Sequence, residues 1–273
     1  MQLSRRPAYH LGPWRIRLLA TTILAAAPLG SAFADKGNSP DVTVSESLSY
    51  LASNSSTILL NLGTSSVSGY VTNNTLSFGD GNSISFDGKA GVFHGGAPGV
   101  AAAPYTPVGL DTSNYLAAEP NGNVTIKYSE QQKYFGIDWG SVDKYNSLTF
   151  YNGDKLVDTV TGDQIAANAN GNQTSQGSYL VNINFNGDTS YDRVVASSST
   201  PAFEFNTVAF STEVVSLEPG KGTDKPTIVY ASDPKNPEVL GVPAPMPEIG
   251  STPLGAAVLA GAFGFAGWRR RKG

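Results

Sequence analysis

Along most of its middle, the chain alternates apolar and polar residues with a period of two. "NVTIKYS" places Val124, Ile126 and Tyr128 on one face and Thr125 and Lys127 on the other, the pattern of a strand with one buried face. "TILLNLG", "SVSGYVT", "KYFGIDWG", "NSLTFYNGDKLVDTV", "GSYLVNINF", "YDRVVASS" and "AFEFNTVAFS" continue it. Turn residues stand between the runs. "NTLSFGDGNSISFDG" reads as two short strands joined at Gly-Asp-Gly-Asn, and "FYNGDKLVDTV" as a hairpin turning at Asn152, Gly153 and Asp154, because Asn, Asp and Gly tolerate the backbone that a tight turn needs. One segment breaks the period: "TGDQIAANA" begins at Thr161, a candidate N-cap, with Asp163 in the first turn, and predicts a short helix. "HGGAPGVAAAPYTPVGLDTSNYLAAEPNGN", His94 to Asn123, predicts a long surface loop, and "TIVYAS" a last strand. The whole pattern predicts an all-β domain over 35–232, an antiparallel β-sandwich or jelly roll.

The two ends depart from this pattern. The first 34 residues carry Arg5, Arg6, Arg15 and Arg17, then the apolar run Leu18 to Gly30, then Ala32-Phe33-Ala34. A cationic start, an apolar stretch too short to span a bilayer and a small-x-small site predict a signal peptide read by Sec-type export machinery, cut after Ala34. After the domain, the prolines spaced through 233–247 predict a stiff, extended linker. Residues 253–268 are then apolar and uncharged, and Trp268 leads into a cationic cluster over 269–272. As a helix, this run of about 24 Å is a marginal membrane span, and the positive residues after it favour a cytoplasmic C-terminus.

Composition narrows the chemistry. The 273 residues carry a formal net charge of -4 and no cysteine. The charge supplies no basic surface for nucleic acid, and the missing cysteine removes disulfides, thiolate nucleophiles and cysteine-bound metal centres. Cleavage after Ala34 leaves His94 as the one histidine, so a two-histidine metal site is excluded within the mature chain. No G-x-S-x-G elbow accompanies His94, and no glycine loop ends in the Gly-Lys-Ser/Thr that cradles phosphate.

Pro247-Glu248-Ile249, the apolar run and Trp268-Arg269-Arg270-Arg271 together resemble a PEP-CTERM sorting signal over 248–273; the third position departs, with Ile249 in place of proline. "YFGIDWGSVDKYNSLTFYNGDKLVDTVTGDQI", with the strands that follow it, resembles a group of exosortase-dependent bacterial surface proteins over about Lys133 to Ser211. The resemblance implies export, transient tethering in the inner membrane, processing by an exosortase-like membrane protease and display at the cell surface or in an exopolysaccharide matrix or biofilm. It implies no enzymatic activity.

Several residues are candidates for chemistry, each with a plainer reading. Trp139 and Tyr145, with Tyr151, form a candidate aromatic platform for sugar rings; strand aromatics otherwise serve as core or cross-strand partners. Asp80, Asn82 and Asp87 offer hard oxygens to Ca²⁺, or simply turn chemistry; Asp188 and Asp192 make a second such set. Asp138 and Asp143 could flank a glycosidic bond if they face each other across a cleft; otherwise Asp143 caps its own turn. The reading carried forward is a non-enzymatic, structural or adhesive exported protein without a cofactor, with a secreted carbohydrate-binding module or carbohydrate-active enzyme as the alternative.

Overall fold

The computed structural model describes residues 41–47, 51–63, 69–70, 74–107, 109–217 and 226–231. The expected signal peptide (1–34), linker (233–247) and sorting signal (248–273) lie outside the described residues. Among those described, no helix is long and apolar enough to cross a membrane.

The elements are β1 (Val42–Ser47), β2 (Ile58–Asn61), β3 (Gly69–Tyr70), β4 (Thr75–Ser77), β5 (Ser83–His94), β6 (Tyr105–Thr106), β7 (Gly109–Leu110) and β8 (Asn114–Gln132). They continue with β9 (Tyr134–Gly140), β10 (Asn146–Asn152), β11 (Lys155–Thr161), α1 (Gly162–Ile165), β12 (Tyr179–Phe185), β13 (Tyr191–Ser198), β14 (Phe203–Ser211) and β15 (Thr227–Tyr230). The predicted hairpins form: Leu76 pairs with Ile84 across the first turn, and Asn152 with Lys155 across the second. The helical segment is a single turn whose Thr161 N–H donates to Gln164 Oε1 at 2.7 Å, so side chains at the turn satisfy backbone groups the helix leaves open.

The chain is all-β and mainly antiparallel, as its period of two predicts. In place of two separate sheets, thirteen strands join in one. Its main path runs β1-β12-β9-β14-β8-β13-β10-β11; β5 lies beside β8, β2 beside β14, and β15 pairs parallel with β2. The sheet closes over its own core because β5 and β8 are long and bend together. The start of β8, Leu116 to Ala118, pairs with β14, whereas Asn123 to Lys127 pairs with β13. At the bend the β5–β8 register shifts between Gly88 and Ala90. Gly88 takes φ +50, and a Cβ there would lie 1.7 Å from the Asn121 carbonyl oxygen. A side chain has no room where the two backbones cross, which is what glycine permits. The loop expected over His94 to Asn123 therefore ends early. Pro120-Asn121-Gly122, expected within that loop, is instead a kink inside β8.

Aromatic side chains fill the space between the two halves. Phe135 of β9 meets Phe150 of β10 at 5.4 Å between ring centres, and Phe185 of β12 meets Tyr191 of β13 at 4.7 Å. Neither strand pair is hydrogen-bonded in the sheet, so these contacts cross the core. Edge-to-face and tilted arrangements of this kind contribute beyond the area they bury.

A second layer covers the opposite face. β9 and β14 are buried at every position, which a half-exposed strand would not be. Phe135, Ile137 and Trp139 belong to the main core, while Tyr134 packs with Leu51, Ala52, Leu59, Leu180, Ala209 and Val215 on the other side. Next to that cluster, Ala101 and Ala103 pack on Phe93, Tyr115 and Ala117. The Gly-, Ala- and Pro-rich segment after His94 thus folds down onto the sheet as a cover.

Candidate functional site

Between these two satellite clusters, the covered face of β9 and β14 carries polar side chains. Register places Asn206 opposite Asp138 and Glu204 opposite Gly140. Asp138 and Glu204 are then diagonal neighbours on one face, a relation that puts Cβ atoms about 7–8 Å apart. The backbone is irregular on both sides. Ser141 has φ 39 and Thr207 has φ 52, the latter at a bulge where the β9–β14 register shifts. A β-branched residue in this region is a strained exception, and bulges re-aim neighbouring side chains.

The polar groups form two connected sets. Asn206 Nδ2 donates to Asp111 Oδ2 and, at 2.6 Å, to Ser113 Oγ. Asp111 Oδ1 accepts from the Ser113 N–H at 2.8 Å and its hydroxyl at 2.7 Å. In the second set, Glu204 Oε1 accepts from the Ala102 N–H at 2.8 Å and Oε2 from Ser141 Oγ at 3.2 Å. The covering segment is pinned further by the Tyr105 N–H on Ser178 Oγ at 3.0 Å and the Tyr115 hydroxyl on the Gly95 carbonyl at 2.6 Å. Burial pushes the Glu204 carboxyl up to about 7; its two donors offset part of the rise, and the charge of Asp143 adds to it.

Asp138 differs from the rest. It is 1% exposed, and neither carboxyl oxygen has a hydrogen-bond partner among the described residues. Burial, and then the negative charge of Asp111, hold its carboxyl well above the usual carboxylate range. It lines a cavity of about 210 Å³ together with Tyr105, Thr106, Ser178 and Leu180, with Ser175 and Gln176 at the edge. Tyr105 also borders a shallower groove of about 500 Å³ along the covering segment, with Glu204 in its lining.

The sequence candidates fall in different places. Trp139 is fully buried and stacks on Phe203 at 4.5 Å. It points into the core because it alternates with Asp138, so it presents no sugar platform. Tyr145 is half-buried and donates to Asp143 Oδ2 at 2.6 Å. Burial pushes the Asp143 carboxyl up, and that hydroxyl holds it partly down. Asp143 is absent from the lining of the Asp138 cavity, so the two do not face each other there. The plainer reading of Asp143 changes in detail: its backbone carbonyl accepts from the Asn146 N–H, while its carboxylate serves Tyr145. Tyr151 lies under Arg193, whose guanidinium is 3.9 Å from the ring centre.

Asp80, Asn82 and Asp87 are not brought together. Asn82 and Asp87 lie five positions apart along extended chain, about 16 Å at the strand rise. Asn82 Oδ1 accepts from the Ser129 N–H at 2.9 Å, and Asp87 Oδ1 from the Asn123 N–H at 2.8 Å. Asp80 sits in the turn with φ 47. Each residue serves its own turn or strand end, and one cation cannot be shared among them. Asp192 accepts from the Gly153 N–H at 3.0 Å, Asp188 is exposed in its turn, and His94 is exposed at the end of β5. Among the described residues, no group of three or more His, Cys, Asp or Glu converges as a metal site would require.

Sequence reasoning passed over Glu204, Asp111, Ser113 and Ser178. "AFEFNTVAFS" holds the signal in part, since Glu204 and Asn206 alternate with Phe203 and Phe205, but alternation alone reads as a solvent-facing edge. Comparison of the chain with family models, with curated proteins and with solved structures finds no match.

Proposed function

We propose that this chain is an exported, non-enzymatic protein of the bacterial surface or extracellular matrix, structural or adhesive in role and associated with exopolysaccharide. The observation that carries it is the order of its sequence: a cationic and apolar leader to Ala34, a strand-rich cysteine-free domain, a proline linker, then Pro247-Glu248-Ile249, an apolar run and an Arg cluster. Sec-type machinery exports the chain. The apolar run over 253–268 halts transfer, Trp268 and Arg269 to Arg271 hold it at the cytoplasmic side, and an exosortase-like protease cuts near Pro247. The folded sheet is read as a β-sandwich of jelly-roll type whose two layers share β5 and β8. The non-enzymatic reading is supported by Asp143, whose carboxylate accepts from Tyr145 and which does not line the Asp138 cavity.

Intact mass of the mature extracellular protein tests the reading. The expected product begins at Asp35 and lacks the tail; persistence of residues 250–273 overturns the processing step. The second reading, a carbohydrate-binding module, is favoured by the amphiphilic cavity at Asp138.

A further inference from the structure

We propose that the groove along the covering segment binds residues 239–247 of the chain's own linker, laid in as an extended, proline-rich strand. The groove has a volume of about 500 Å³ and follows Gly96 to Ala103, with Tyr105, Leu110, Gln173 and Pro201 beside it. Most of its lining is small and apolar, as at Ala97, Pro98, Val100 and Ala102. Leu110 pairs with Tyr105 across the β6–β7 hairpin and is 52% exposed. Glu204 is the one acid in the lining, and its two oxygens already accept from Ala102 N–H and Ser141 Oγ. No Lys, Arg or His lines the groove among the described residues, so nothing in it calls for a charged occupant. An exposed apolar surface of this kind gains from being covered by another.

The topology says which part of the chain can cover it. β15 runs parallel to β2, and β2 antiparallel to β14, so Val229, Leu60 and Val208 lie in one row. Following β15 beyond Tyr230 therefore leads toward the start of β14, where Ala202 and Glu204 line the groove. Ala231 donates its N–H to the Asn61 carbonyl. From there Ala202 is about four rows on and two strands across, about 16 Å at ordinary strand spacings. Residues 232–247 lie outside the described residues. The first seven of them, 232–238, reach about 22 Å when extended, enough to bridge this distance. They also hold the linker's charges, Asp233, Lys235 and Glu238. Residues 239–247, "VLGVPAPMP", follow without a charge and with Pro243, Pro245 and Pro247. Proline fixes φ, so such a segment gives up little conformational entropy when an apolar groove takes it. A short tether supplies an effective concentration of about 1 mM, so an intrinsic affinity of about 0.1 mM keeps roughly 90% of chains docked. This docking needs neither export nor processing.

The test uses the full purified chain with photoactivatable benzoylphenylalanine in place of Leu110, and crosslinks mapped by peptide mass spectrometry. The expected product is intramolecular and concentrated in 239–247. The same probe at Leu156 is the control. Leu156 is exposed and shares a row with Tyr151, Arg193 and Lys127, toward the other end of β8 from Asn114. It is expected to show no enrichment in 239–247. Leu240→Asp combined with Val242→Asp removes two apolar contacts. Docking about 100-fold weaker lowers the docked share, and the crosslink with it, about tenfold.

Should the Leu110 probe unfold the small β6–β7 hairpin, a probe at Gln173, exposed elsewhere in the lining, decides the outcome in its place. Crosslinks spread evenly over the linker and tail overturn the proposal. So does a product of twice the chain mass, which would put a second copy's segment in the groove, or a yield unchanged by the paired Asp substitutions. None of these outcomes bears on export, which the mass of the mature extracellular protein decides separately.

Discussion

Glu204 makes the fold more stable in mild acid than at neutrality. In the unfolded chain its carboxyl ionises near its ordinary 4.5, whereas in the folded protein burial holds the proton to about 7. Between these values the folded state binds the extra proton, so its stability falls as pH rises. The contribution is present in full below pH 4.5 and is lost as pH passes through about 7. At about 1.4 kcal/mol per pH unit, that interval amounts to roughly 3 kcal/mol. Glu204 is 3% exposed, so little of this is screened by solvent. Urea unfolding of the full chain at half-unit steps from pH 4.5 to 7.5 measures it. Glu204→Gln mimics the protonated acid: its amide can accept from Ala102 N–H and donate to Ser141 Oγ. Subtracting its profile from that of the wild type isolates Glu204 from Glu46, Asp138 and Asp143, whose carboxyls are also raised. The expected difference grows toward neutral pH and favours the variant. A wild type whose stability rises across this range in parallel with Glu204→Gln would refute the reasoning.

Two further outcomes follow from the packing. Trp139→Ala removes a fully buried ring stacked on Phe203 and is expected to cost about 3–5 kcal/mol in urea unfolding; a loss below about 1 kcal/mol would place the indole at the surface. Gly88→Ala puts a Cβ 1.7 Å from the Asn121 carbonyl oxygen at φ +50. It is expected to destabilise by more than about 1 kcal/mol, and an unchanged melting temperature would mean that β5 and β8 do not cross there.

Much of the fold is legible along the chain because it is local. Alternation at Val124, Ile126 and Tyr128 reports a strand wherever that strand ends up, and Gly-Asp-Gly-Asn and Asn152-Gly153-Asp154 turn the chain by their own backbone preferences. The kink at Pro120-Asn121-Gly122 was not legible. The same residues make a turn or a bend depending on whether a second long strand runs alongside, and here Gly88 of β5 does. Asp138 was legible as chemistry but misplaced. Its neighbour Trp139 drew attention as a ligand surface, although the period of two that turns Asp138 toward the covering segment turns Trp139 into the main core.

By itself, then, the sequence determined the all-β class, the hairpins and the absence of cysteine chemistry, each written in residues close together, and it carries the patterns at the two ends on which the proposed export rests. The tertiary structure alone decided that both faces of β9 and β14 are covered. The cover comes from far away in the chain: Ala102 donates to Glu204 across 102 residues. A polar residue alternating with apolar ones faces water unless something is laid over it. When the segment after His94 packs on Phe93, Tyr115 and Ala117, Asp138 and Glu204 pass from solvent into a low-dielectric interior. Desolvation there raises their carboxyls, and an ordinary strand position becomes a buried, unpaired acid.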